Sequence, residues 1–211
     1  GGDNCVTSDD PTVLRFATDG TLVAAFGADM FVRPHGMHVD QEGNVWVTDG
    51  RAAREAELQE APDAARKGNQ VVKFNAQGEV LMVLGTPGTT GEPPAALNQP
   101  NDVIVAPNGD ILVSEGHSAQ GPHGRISRFS SDGTFLTESY AVPGGSYTYT
   151  LQADARSVGT WAYHDAVAEL DGGPFIDGLS LPESGEGIER GMFGAIIVYG
   201  EGELDEAGLP A

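Results

Sequence analysis

Cysteine, lysine and long apolar runs are scarce in this sequence, and each shortage removes a class of explanation. Cys5 is the single cysteine among 211 residues. An internal disulfide and a thiolate metal cluster are therefore excluded, and a blue-copper centre that needs a cysteine ligand is not expected. Lys67 and Lys73 are the only lysines, against nine arginines and 31 acidic residues, and the formal charge is −20. Such a charge repels phosphate, which argues against nucleic acid and anionic membranes as partners. An acidic, lysine-poor surface suits a salty environment, where screening relieves self-repulsion, or equally a soluble surface encoded by a GC-rich genome. No apolar stretch approaches the roughly 20 residues of a membrane-spanning helix. The sequence starts at Gly1, which fits either a removed leader or a piece of a longer chain, with no signal peptide visible to decide.

What the sequence has in quantity is glycine, 30 residues, together with 13 prolines, a composition suited to many short strands joined by tight turns. Repeats organise them. PHGMHVDQEGNVWVTDG at 34–50 and PNDVIVAPNGDILVSEG at 100–116 follow one plan. Pro34 matches Pro100, His35 matches Asn101, Gly43 matches Gly109, and Thr48-Asp49-Gly50 matches Ser114-Glu115-Gly116. Three further hairpins, VLRFATDGTLVAAFG at 13–27, VVKFNAQGEVLMVLG at 71–85 and ISRFSSDGTFLTE at 126–138, each carry a basic residue before a phenylalanine and then a glycine turn. Interleaved, these give strands C and D, then A to D twice, or about two and a half four-stranded blades of an all-β propeller over 12–138. The A–B and C–D turns are short, whereas the B–C connections (51–69 and 117–124) and the D–A connection (86–99) are long. In a propeller B–C and D–A loops share one side of the disc, which makes that side the expected binding face. His35 opens an A strand there, and His117, His123 and Arg125 fall in or just after a B–C loop on the same side. The insertion RAAREAELQEAPDAARKGN fits a short helical lid or a surface loop, with Pro62 as interruption. His38 aligns with Ile104 and reads as a packed strand histidine.

The pattern P-x-G/D-x-x-V-D/A-x-x-G-x-x-x-V-x-D/E, followed by a V-x-x-F-x-x-x-G hairpin, resembles NHL repeats. PHGMHVDQEGNVWVTDG, NQPNDVIVAPNGDILVSEG and GRISRFSSDG more narrowly resemble the six-bladed propeller of the peptidyl-α-hydroxyglycine α-amidating lyase family. The resemblance implies an extracytoplasmic setting and a zinc held by three histidines from separate blades. His35 matches the first of these, the carbonyl of Met37 matches a calcium-binding backbone position, and Arg125 matches an active-site arginine. Ala96 stands where the second zinc histidine belongs, and the third belongs to a late blade not in this sequence. His117 or His123 would have to substitute as loop ligands.

From about 138–143 the pattern changes. Tyr147, Tyr149 and Leu151 alternate along one expected strand, Gly159 to Asp165 form a second and Met192 to Tyr199 a third, with a long acidic loop at 166–190. From residue 139 onward there are twelve acidic and two basic side chains, half of the net charge. PGGSYTYTLQAD, GTWAYHDAV and GIERGMFGAIIV resemble the last strands of a cupredoxin domain of the multicopper oxidases, over 141–200, ahead of an acidic tail at 201–211. The resemblance implies copper, with His164 as the first histidine of a Y-H-D-H pair, Ala166 in place of the second, and Trp161 and Tyr163 as fold residues.

The expected fold is thus all-β, a partial NHL-type propeller followed by a partial cupredoxin-like Greek-key sandwich. Neither part has enough strands to satisfy its edges. The sequence is then either a fragment or join of two genes, or a combined β-fold completed by oligomerisation, including homo-oligomers. Three functions follow as expectations. One is a binding or structural module whose loop face meets a small molecule, peptide or protein partner. A second is a lyase-like enzyme using zinc or calcium at His35 and Met37 with Arg125. The third is a copper oxidase subunit using His164.

Overall fold

The computed structural model describes residues 5–116, 124–140, 145–150, 153, 157–164, 175–176, 179–180 and 193–202. The chain divides into two compact units, Gly1–Gly144 and Gly145–Ala211. In the first unit the hairpins form as expected. β1 (Val13–Phe16) and β2 (Leu22–Phe26) make a two-stranded sheet. β3 (Pro34–Val39), β4 (Val45–Asp49), β5 (Gln70–Phe74) and β6 (Val80–Leu84) make a four-stranded antiparallel sheet in sequential order. β7 (Pro100–Val105), β8 (Ile111–Glu115), β9 (Arg125–Phe129) and β10 (Phe135–Ser139) repeat it. These are one half blade, strands C and D, and two complete blades.

The turns explain the regularity. Gly20, Gly43, Gly78, Gly109 and Gly133 all lie at φ of 82–88°, a left-handed conformation that costs glycine nothing and other residues something. Each donates its N–H to the carbonyl three residues back, at 2.8–3.0 Å. All three D strands carry a register shift near the basic-Phe pair, between Arg15 and Phe16, between Lys73 and Phe74, and between Phe135 and Thr137. The bulges leave Val23, Leu81 and Leu136 exposed in turn.

Alternation along each strand divides the side chains between two faces. In the first full blade Trp46, Val71 and Leu84 point one way and join Leu97, Val103, Ile111, Val113 and Phe129 in a core between the two full blades. Val47, Val72 and Phe74 point the other way and join Val13 and Phe31 in a core against the half blade. Neighbouring blades therefore bury each other's faces, and no blade has a private core.

Between the full blades, at the A–B turn end, lies a cleft of about 290 Å³ lined by Asp40, Trp46, Lys73, Val105, Pro107 and Ile111 among others. Burial alone would raise the Asp40 carboxyl. The Trp46 indole N–H at 3.0 Å, the Asn44 amide and backbone, and the Glu42 N–H outweigh it and hold the pKa at about 2. A carboxylate depressed in the folded state stabilises above its unfolded pKa, and that contribution is lost as pH falls from about 4 to about 2. Asp40→Asn is expected to destabilise the fold by on the order of 2 kcal/mol at neutral pH. The gap to wild type should close over that acid window in urea titrations at stepped pH; a constant gap would refute the assignment.

The 51–69 insertion is ordered. It forms α1 (Glu55–Glu60) and a 3-10 turn (Pro62–Arg66), with Pro62 in the first turn, where its missing N–H is harmless. Glu57 accepts the Arg54 N–H at 2.7 Å and pairs with the buried Arg51 guanidinium through two contacts of 2.7 Å. Leu58, Ala61 and Ala53 pack on a small core of Val6, Val32 and Ala64.

In the second unit β11 (Gly159–His164) pairs antiparallel with β14 (Phe193–Val198), and β12 (Phe175–Ile176) with β13 (Leu179–Ser180). The β12–β13 pair falls within the expected 166–190 loop and corrects it. The expected strand through Tyr147 and Tyr149 is also corrected: 145–150 has no strand. Both tyrosines are exposed and their rings lie 4.7 Å apart. Alternation shows which side chains share a face, but strand pairing also needs a partner edge, and none of the described strands pairs with this segment. Among the described residues no helix is long and apolar enough to cross a membrane.

Candidate functional site

The start of each A strand is bulged, between Pro34 and Met37 and between Pro100 and Asp102. Bulges re-aim a side chain, and the bulged residues here are His35 and Asn101, the pair aligned in the repeats. The His35 ring is exposed, with Nδ1 2.7 Å from the Asn101 carbonyl of the next blade. A carbonyl only accepts, so Nδ1 carries the proton, and in the neutral ring the lone pair sits on Nε2. Gly36 permits this contact: a Cβ there would lie 2.5 Å from the Asn101 carbonyl oxygen and 2.8 Å from the Asp102 Cα.

The last residues of each B strand hold the bulge. Thr48 Oγ1 accepts the Gly36 N–H at 2.7 Å. The fully buried Asp49 carboxylate accepts the N–H groups of Val32 (3.0 and 3.1 Å) and Arg33 (2.7 Å), with the Gln70 amide at 3.4 Å. Burial raises the Asp49 pKa, and these donors only partly offset that. The next blade uses Ser114, which donates to the Asn101 side chain, and Glu115, which accepts the Asn98 N–H at 2.6 Å. The V-x-D/E ending of the repeat is therefore a pin that fixes the loop leading into strand A. Its sequence signal was the match of Thr48-Asp49-Gly50 to Ser114-Glu115-Gly116; the role needed the contacts.

Arg125 sits beside Glu115. Its side chain is 5% exposed, and Nε and one terminal nitrogen make a fork to both Glu115 oxygens at 3.1 and 3.0 Å. It also donates to the Gly91 carbonyl at 3.0 Å, contacts Glu92, and lies 3.5 Å from Glu138. Burial works against its charge, but Glu115 foremost, then Glu92 and Glu138, raise its pKa. Ala96, where the resemblance puts a zinc histidine, is buried. Met37 is exposed, and His38 is half-buried opposite Trp46 in the register. Cys5 is half-buried, and burial followed by the Asp49 charge pushes its thiol up, away from a reactive thiolate. His117, His123 and Ala166 lie outside the described residues. His164 ends β11 opposite Phe193. Among the described residues no three His, Cys, Asp or Glu side chains converge on one metal position.

No family model matches the chain. It is 30% identical to a probable peptidyl-α-hydroxyglycine α-amidating lyase of Caenorhabditis elegans, over 62% of this chain and 32% of that protein. It is 31% identical to NHL repeat-containing protein 3 of Mus musculus, over 58% of this chain and 32% of that one. The blades are those of an NHL-type β-propeller. A peptidyl-glycine α-amidating monooxygenase of Xenopus laevis is 32% identical over 56% of this chain and 11% of its own length. The chain thus spans about a third or less of these curated relatives. Among solved structures a streptogramin B lyase is similar at 22% identity, over 52% of this chain and 26% of that one, with a TM-score of 0.31. The NHL blades carry the long connections at the end of the strands that holds His35 and Arg125, with the short A–B and C–D turns at the other.

Proposed function

We propose that the propeller blades form a non-catalytic binding module whose long-loop face receives a peptide or small-molecule ligand at His35. The observation that carries this reading is the exposed His35 ring, held on a bulge with its Nδ1 proton committed to the Asn101 carbonyl. An exposed imidazole whose orientation is fixed by this bond suits recognition of a polar ligand group. Arg125 supports the face from below, because its guanidinium is occupied by carboxylates and a carbonyl.

The second reading is lyase-like chemistry with zinc at His35, calcium at the Met37 carbonyl and Arg125 beside the substrate. It is favoured by the similarity to amidating lyases. The same Nδ1 bond would orient His35 as an Nε2 metal ligand. The copper reading, with residues 141–200 as a cupredoxin-like segment and His164 as ligand, rests on the sequence motif alone. An extracytoplasmic location belongs to the lyase resemblance in the same way.

One titration series separates the three. A peptide ending in α-hydroxyglycine is expected to bind the purified chain unchanged, and His35→Ala should weaken that binding by about tenfold or more, the loss of one oriented hydrogen bond to a charged or polar group. Stoichiometric zinc with turnover, both lost in His35→Ala, would replace the module by a lyase. Stoichiometric copper lost in His164→Ala would favour the oxidase. Absence of any peptide binding would refute the ligand face.

A further inference from the structure

Lys73 and Arg128 share a repeat position, the basic residue before the phenylalanine of strand C, but the two full blades treat the charge differently. Arg128 donates twice to Asp110, through Nε at 2.7 Å and through a terminal nitrogen. In the blade before it Asn44 stands at the position of Asp110, and its amide donates to Asp40 and Glu42. Lys73 is left with the Asp40 carboxylate at 3.6 Å, beyond hydrogen-bonding range, and the Trp46 ring at 5.0 Å. That carboxylate is already met by the Trp46, Asn44 and Glu42 donors. An ammonium carries three donors, and the Lys73 side chain is only 16% exposed. Among the described residues none accepts a hydrogen bond from it. Lys73 lines the cleft of about 290 Å³ at the A–B turn end of the inter-blade junction, with Val105, Pro107 and Ile111 of the next blade across from it.

We infer that this cleft binds a small monocarboxylate, with the Lys73 ammonium donating to the carboxylate and Val105 and Pro107 covering an apolar body. The site lies at the opposite end of the strands from His35 and is independent of the ligand proposed there. Charge selects the class of ligand. Lys73 is the one cation among the lining residues, and its N–H groups call for an acceptor, which a charge-assisted bond to a carboxylate supplies best. A cationic ligand would meet the ammonium while finding Asp40 already satisfied by its own donors. A second negative charge on the ligand would face Asp40, Glu42 and the −20 of the whole chain, which disfavours phosphates and dicarboxylates. The volume stands at the small end of ligand pockets, which run from about 300 to 1,000 Å³, so the apolar body is of the size of a single ring.

Benzoate titrated into the full chain tests this, followed by the Trp46 indole N–H resonance, whose acceptor Asp40 lines the cleft and which Trp46→Phe assigns. Saturable movement of that signal at about millimolar benzoate is expected. Benzamide, with the same ring and no charge, should leave it in place. Lys73→Met keeps the aliphatic stem, removes the donors and should weaken benzoate binding at least about tenfold. Glu42 is exposed, and Glu42→Gln leaves the Lys73–Asp40 pair intact while removing a like charge, so it should tighten benzoate by about two- to fivefold. No saturable movement in the wild type, equal binding of benzamide, benzoate binding unchanged in a folded Lys73→Met or weakened in Glu42→Gln, or a loss in His35→Ala instead, would overturn the inference.

Discussion

Arg125→Ala is expected to destabilise the propeller unit by about 3–5 kcal/mol, the range found when one member of a buried ion pair is removed. Glu115 is 1% exposed, and without the guanidinium its carboxylate stays in a low-dielectric interior with only the Asn98 N–H and the Ser127 hydroxyl as donors. The sister blade shows how the position works without a cation. There Asp49 and Gln70 occupy the places of Glu115 and Arg125, and the carboxylate is met by backbone N–H groups and an amide. Arg125→Gln should therefore cost less than Arg125→Ala, and Glu115→Asp with Arg125→Gln should recover part of the loss by reproducing the sister pair. Urea unfolding of the four proteins measures the series. A cost below about 1 kcal/mol for Arg125→Ala, with ligand binding abolished, would mean that the arginine serves a ligand and not the fold.

Trp46→Ala is expected to cost about as much, 3–5 kcal/mol, the usual range for truncating a buried aromatic. The side chain is 1% exposed and fills the junction of the two full blades against Val103 and Ile111. Its indole N–H is also the leading donor to Asp40, and its ring lies 5.0 Å below the Lys73 ammonium. The change should thus remove part of the acid dependence attributed to Asp40, a readout that loss of packing alone would not move. Trp46→Phe keeps most of the volume and should lose about 1–2 kcal/mol, with the same weakened acid dependence. Leu112→Ala, at the equivalent but half-buried position, should cost clearly less. Equal losses at 46 and 112 in urea titrations would mean that the inter-blade junction is no more a core than the open face.

The strands of the blades were legible because two local signals agreed. Glycine turns at fixed spacing set where each hairpin reverses, and period-two alternation set which residues share a face. Where only one signal was present, the reading failed. Tyr147 and Tyr149 alternate, but no repeat of a spaced glycine turn ties them to a neighbouring strand, and 145–150 forms no strand. The site was legible in part. His35 was placed on the loop side by topology, yet its contact with Asn101 joins residues 66 apart and has no local trace. Arg125 matches an active-site arginine through the family resemblance alone. Its engagement by Glu92 and Gly91, more than 30 residues away, became visible only when the D–A loop folded back across the B–C end of the blade.

The sequence by itself determined that this chain builds NHL-type blades, because turn chemistry and alternation are local and repeat. It also determined that a basic position recurs in each of the three C–D hairpins and an acidic one in each of the two A–B hairpins. Only the tertiary structure decided what those charges do, since the meaning of a carboxylate depends on its desolvation. Asp49 and Glu115 became loop pins because the segment leading into strand A of the same blade lays its N–H groups on them where water is excluded.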